Sequence, residues 1–284
     1  MAIISTKELD IYFERSAPRP NGPLLFIGGT GGDLRNKPNQ LHSPLSEYFE
    51  IISYDQRGLG QTSSPSGAYS MQQYADDAAH LLDVLQINTI PVMGVSFGGM
   101  VAQELIKRHS SRVSKLVLAC TSSGGDGGSS YPLHILEDLN EEEKLEKSIK
   151  INDLRITDEW IEQNKNAWQS IKEQAKNRNA FKPKSRNLLK QLLARKDHNT
   201  YLDLDDINIP TFLLGGKYDG IAPALKIDDP HHRTLTYCYE FSDASSPYLK
   251  QGLYHHIYLP VKKWECEYHL NLSKYYGPFL PGVV

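Results

Sequence analysis

The clearest chemistry in the chain is at position 96. Gly94-Val95-Ser96-Phe97-Gly98 has the form G-x-S-x-G, which lifts a serine hydroxyl above a sharp strand-to-helix turn. Such a turn is strained, and side chains on either side of the serine would collide. Gly94 and Gly98 meet that need, and Gly99 lets the following helix pack closely. The bare pattern is common by chance. Here Ile90-Pro91-Val92-Met93 reads as a strand before it, and Gly99–His109 reads as a helix after it, with Met100, Ala102, Leu105 and Ile106 turned inward. That setting predicts a nucleophilic serine rather than a glycine-rich turn with an idle hydroxyl.

A second cluster, Gly28-Gly29-Thr30-Gly31-Gly32, follows the apolar run Leu24–Ile27. Acyl transfer develops negative charge on a carbonyl oxygen, and paired backbone N–H groups stabilise it. A glycine loop at a strand end brings amides close to Ser96, and the two donors are assigned to Thr30 and Phe97. Neither G-x-G-x-x-G nor G-x-x-x-x-G-K-[ST] fits the loop, which argues against a nucleotide cradle. Gln56 and Arg57 lie in the turn Asp55-Gln56-Arg57-Gly58. Substrate contact is one reading of them; the preferred one is structural, with Asp55 and Arg57 tying down the loop.

These residues need a scaffold. Leu24–Ile27, Phe49–Tyr54, Thr89–Met93, Val113–Cys120 and Pro210–Leu214 are short apolar runs suited to strands covered on both faces. Between them, Met71–Leu85 has helical spacing. Strands alternating with helices predict a mostly parallel sheet with helices on both faces. The stretch 124–206 interrupts the alternation with a glycine and serine loop and then helix-prone segments at Leu136–Ile151, Asp158–Asn177 and Ser185–Ala194. It is expected to be a helical cap inserted into a core made of 1–123 and 207–284. Trp160 and Trp168 read as cap packing, and Glu141-Glu142-Glu143-Lys144 as a solvated face.

The chain has 284 residues and a formal net charge of -3, with no basic stripe that would argue for nucleic acid. Cys120, Cys238 and Cys266 form no close pair and read as free thiols in a reducing compartment. Met1–Arg15 has no apolar core of a signal peptide, and no run approaches the length of a membrane helix. The expectation is a cytoplasmic protein with a small-molecule partner.

The segments FIGGTGGDL (Phe26–Leu34), YDQRGLGQT (Tyr54–Thr62), MGVSFGGMVAQEL (Met93–Leu105) and VSKLVLACT (Val113–Thr121) closely resemble the α/β-hydrolase superfamily, within it the enol-lactonase-like branch. The run from Leu25 to Thr121 that contains them is about a third of the chain, and IPTFLLGGKYDGIAP (Ile209–Pro223) extends the match more weakly. The resemblance implies a serine–histidine–acid triad, with no metal and no organic cofactor. Many such proteins have histidine where Gly28 stands. The resemblance places the acid at Asp219, just past a strand in G-x-x-D form, to accept the imidazole N–H; Asp126 is a poor second choice.

The triad order requires the histidine after Asp219. The resemblance implies a helix, a strand and then a Gly-His pair. Asp228-Asp229-Pro230 discourages that helix, while Thr234–Phe241 alternates like a strand. His231 and His232 come too soon, leaving His255, or its neighbour His256, before Pro260 and a helically spaced terminal segment. Eight of the sixteen tyrosines and two of the three cysteines lie after residue 224. Two readings therefore stand. In one, His255 is the general base of an ester or lactone hydrolase. In the other, the tail is foreign to the fold, and the chain is an impaired or ligand-binding pseudo-hydrolase.

Overall fold

The computed structural model describes residues 2–6, 8–177, 180–216 and 218–223, together with the backbone of two later strands, 236–242 and 252–258. The described strands are β1 (Ala2–Ser5), β2 (Asp10–Arg15), β3 (Pro23–Ile27), β4 (Glu50–Tyr54), β5 (Ile90–Val95), β6 (Val113–Ala119), β7 (Thr211–Gly216), β8 (Thr236–Ser242) and β9 (Gly252–Tyr258). They form one sheet in the order β1-β2-β4-β3-β5-β6-β7-β8-β9. From β4 across to β8 every pairing is parallel, while β1–β2, β2–β4 and β8–β9 are antiparallel. This is the expected mostly parallel α/β architecture.

The strand order explains where a site can form. From β3 the chain steps to β4 on one side, then returns to place β5 on the other side. Loops leaving adjacent strands in opposite directions open a crevice at the carboxyl ends of β3 and β5. The glycine loop leaves β3 there, and Ser96 leaves β5.

Helix α1 (Met71–Val84) begins at Ser70, whose Oγ accepts from Gln73 N while the Gln73 side chain reaches back to Ser70 N. Its apolar face buries Tyr74, Ala75, Ala78, Leu81 and Leu82 completely. Helix α2 (Phe97–Arg108) is buried along nearly its whole length. The Tyr74 ring meets the Phe97 ring edge-on, with centroids 4.9 Å apart, so α1 braces the first turn of α2. Truncating a core leucine such as Leu82 to alanine costs about 2–5 kcal/mol.

Between β6 and β7 the chain forms 3-10 turns and four helices: α3 (Glu141–Asn152), α4 (Asp158–Gln163), α5 (Lys165–Asn177) and α6 (Ser185–Ala194). The helix expected over Leu136–Ile151 is divided at Asn140, whose Oδ1 accepts from the amides of Glu142 and Glu143 and so starts a new helix. That expected over Asp158–Asn177 is divided at Asn164, where the backbone leaves the helical region. Ile149, Ile156, Trp168 and Ile171 give these helices a core of their own, and Trp160 packs against it. The two ends of the segment meet: Gly124 bridges to Asn199, and Thr200 N donates to the Ser123 carbonyl at 2.8 Å.

The terminal helix expected after Pro260 lies outside the described residues, as do His231, His232, Cys266 and the side chains of Cys238, His255 and His256.

Candidate active site

Ser96 joins β5 to α2 with φ 52° and ψ -119°. A positive φ at a residue other than glycine costs on the order of 1–3 kcal/mol and persists only where surroundings enforce it. Here Ser96 N donates to the Ala119 carbonyl at 2.8 Å, and the Ser96 carbonyl accepts from Thr121 Oγ1 at 2.8 Å and Gly99 N at 2.9 Å. A Cβ at Gly94 would strike the Gly98 backbone, and one at Gly98 would strike the carbonyls of Ile27 and Gly28. The glycines therefore let α2 approach the end of β3. Ser96 is 6% exposed.

That approach brings the glycine loop against the first turn of α2. Gly31 N donates to Gln191 Oε1 on α6 at 2.8 Å, and Gly32 N to the Gly29 carbonyl at 3.3 Å. The amides of Thr30 and Phe97 donate to no described group. The Phe97 N–H is one of the free donors at a helix start, where the helix dipole favours negative charge. The loop is fixed from behind as well. Gln56 Nε2 donates to the Gly28 carbonyl at 2.7 Å, and Leu34 N donates to Asp55 Oδ1 at 2.7 Å. Arg57 does not join Asp55 in this: it pairs with Asp77 on α1. Both residues tie down the loop after β4, as expected: Asp55 Oδ2 accepts from Gln61 N at 2.8 Å within it, and Arg57 anchors it to α1. Gln191 was not singled out from the sequence, because no local pattern links it to Gly31, 160 residues away.

Asp219 follows β7. Its Oδ1 accepts from Ile221 N at 2.7 Å and Ala222 N at 3.0 Å. Burial raises its carboxyl above the ordinary range, against the pull of those two amides and of the Cys120 thiol. Val95, Ala119 and Leu214 are neighbours across β5, β6 and β7, so Ser96 and Asp219 emerge at the same edge of the sheet. Asp126 lies in a 3-10 turn of the loop after β6.

The backbone of His255 is level with this end of the sheet but displaced sideways from Ser96. It lies within β9, opposite Tyr239 of β8, which is opposite Gly216 of β7. β9 stands four strands from β5, and at about 4.8 Å per strand its backbone is roughly 19 Å from that of Ser96. The residue expected in a loop before a helix is instead in an antiparallel edge strand. Among the described residues, no imidazole is hydrogen-bonded to Ser96 or Asp219.

Beside the elbow lies a cavity of about 200 Å³, lined among others by Met100, Ser122, Tyr131, Arg195 and His198. Among the described residues, no group of three histidine, cysteine or acidic side chains is placed to hold a metal ion, and no helix is long and apolar enough to cross a membrane.

A family model described as alpha/beta hydrolase fold matches residues 22–245. The chain is 36% identical over 130 residues to a poly(3-hydroxyalkanoate) depolymerase of Ectopseudomonas oleovorans, covering 43% of this chain and 44% of that protein. It is 35% identical over 107 residues to 3-oxoadipate enol-lactonase 2 of Acinetobacter baylyi, covering 38% of this chain and 39% of that one. The matched stretch thus spans less than half the length of either relative. Among solved structures, the enol-lactonase from Burkholderia xenovorans LB400 superposes with a TM-score of 0.60 at 19% identity, covering 79% of this chain and 85% of that one. At that identity the likeness is one of fold.

Proposed function

The chain belongs to the alpha/beta hydrolase fold family, and from that premise we propose that it is a serine-dependent hydrolase of a small carboxylic ester or lactone. The observation that carries the reading is the strained backbone of Ser96 beside two amides, Thr30 and Phe97, that donate to no described group. Similarity to proteins named as a depolymerase and an enol-lactonase supports the same class of reaction.

In this mechanism Ser96 Oγ loses its proton to a base and bonds to the substrate carbonyl carbon. The oxygen takes up the negative charge and is held by the amides of Thr30 and Phe97. The alkoxide leaves with the proton, giving an acyl-serine. Water then adds, the serine departs, and a carboxylic acid is released. Asp219 orients the base and stabilises its charged form. His255 is the base proposed from the sequence, and His256 its substitute. The segment 124–206 acts as a cap over the crevice.

The testing experiment is reaction with a fluorophosphonate, read by intact mass. One adduct per chain, absent in Ser96→Ala, is the expected result. A folded wild type that remains unlabelled overturns the proposal. A second reading, a ligand-binding pseudo-hydrolase, is favoured by the position of the His255 backbone in β9. Loss of labelling in His255→Ala or His256→Ala, with folding retained, rejects that reading.

A further inference from the structure

Arg195, at the carboxyl end of α6, is 7% exposed, and no described acidic group pairs with it. Its Nη2 donates to Ser130 Oγ and, at 3.2 Å, to the Tyr131 carbonyl, while Nη1 has no partner. Two other buried polar atoms on the wall of the same cavity are also unpartnered, Ser122 Oγ and His198 Nδ1. A buried guanidinium without a counter-charge is costly, and so is each hydrogen bond left unmade. Burial alone brings Arg195 down to about 10. It also brings His198 down to about 4, against the opposing pull of the Ser122 backbone and with Arg195 and Lys107 acting in the same direction as burial. His198 is therefore held in its neutral form near pH 7 and adds no positive charge beside Arg195.

We propose that this cavity is a carboxylate-binding site, in which Arg195 Nη1 and Ser122 Oγ donate to the two oxygens of a small carboxylate. A carboxylate supplies the missing charge and acceptors together, and charge-assisted bonds of this kind are the strong ones. The placement is close to the elbow. Met100, one turn into α2, donates its N–H to the Ser96 carbonyl at 3.3 Å, and Thr121, next to Ser122, donates to the same oxygen. Gln191 precedes Arg195 by one helical turn and holds Gly31. One face of α6 thus spans from the glycine loop to this cavity.

The carboxylate has two sources to distinguish, a free acid or an acid group carried by the substrate. Binding is tested first by thermal unfolding of wild type and Ser96→Ala in millimolar butyrate or butyramide at fixed ionic strength. Both proteins should gain Tm with butyrate and not with butyramide, and Arg195→Met should lose the gain. No gain, an equal gain with butyramide, or a gain kept in Arg195→Met overturns the site. Arg195→Met is expected to fold, because it removes an unpaired buried charge in exchange for an apolar chain of similar length.

The second test rests on the proposed hydrolase activity and compares 4-nitrophenyl hemisuccinate with 4-nitrophenyl butyrate. If the substrate carries the acid, Arg195→Met raises KM roughly tenfold or more for the hemisuccinate alone. If a free acid binds, both esters keep their KM in Arg195→Met, and added butyrate changes the wild-type rate only. Failure of Ser96 to label would remove this second test and leave the first intact.

Discussion

Arg57 and Asp77 meet as a two-pronged ion pair, Nε to Oδ2 at 2.9 Å and Nη2 to Oδ1 at 2.7 Å, with both side chains almost wholly buried. The pair fastens the loop after β4 to α1, the helix that braces Phe97 from the far side. Glu8 adds a third, exposed contact to Arg57 at 3.2 Å.

Removing one partner leaves the other charge buried and alone. Asp77→Leu should destabilise the protein by about 3–5 kcal/mol. Arg57→Met with Asp77→Leu together should lose much less, because neither charge remains. Urea unfolding of the two variants checks this, and equal losses would mean that packing, not charge, holds the loop.

The elbow depends on absent side chains. Gly98→Ala drives a methyl group into the Ile27 and Gly28 carbonyls. The expected cost is about 1–3 kcal/mol or more, with fluorophosphonate labelling at Ser96 abolished, because α2 must withdraw from the glycine loop. Normal labelling in a folded Gly98→Ala protein would show that the close approach is dispensable.

Asp55 is 1% exposed, and burial, opposed by its bonds to the Gln61 and Leu34 amides, raises its carboxyl to about 6. A carboxyl raised on folding binds more protons in the native than in the unfolded chain between the two pKa values. Its contribution is therefore favourable at low pH and is lost as pH rises through that window. Relative to Asp55→Asn, wild type should lose roughly 2–3 kcal/mol of unfolding free energy from about pH 4 to pH 7. Urea titrations across that range read the difference, and a flat or rising difference would contradict it.

Gln191 is fully buried and is the acceptor for Gly31 N. Gln191→Leu leaves that amide without a partner, at about 1–3 kcal/mol. Because Gly31 follows Thr30, the labelling rate at Ser96 should fall by about tenfold, a fraction of what loss of a whole oxyanion donor costs. An unchanged rate would separate α6 from the alignment of the loop.

Cys120 has its thiol pushed up to about 12, first by burial and then by the neighbouring Asp219 charge. The thiolate is the reactive form, so iodoacetamide at pH 8 should leave Cys120 unmodified in the native protein and alkylate it once the chain is unfolded. Peptide mapping reads the site. Rapid native alkylation would place the thiol in contact with water and away from Asp219.

What could be read along the chain was local. The elbow at Ser96, the glycine loop after β3 and the alternation of strands with helices follow from backbone sterics and periodicity over a few residues. Those forces act between near neighbours, so they are written in consecutive positions. The breaks at Asn140 and Asn164 were missed because capping competes with helix continuation on a fine balance that apolar spacing does not record. Tertiary structure alone decided the partners. Arg57 pairs with Asp77 on α1, Gln191 reaches Gly31, and Arg195 is buried with no acid among the described residues paired to it. It also set His255 in β9, at the far edge from β5. Each of these depends on which distant segments share a small volume after the core closes, and a charge or hydrogen bond has large consequences only once water has been excluded around it.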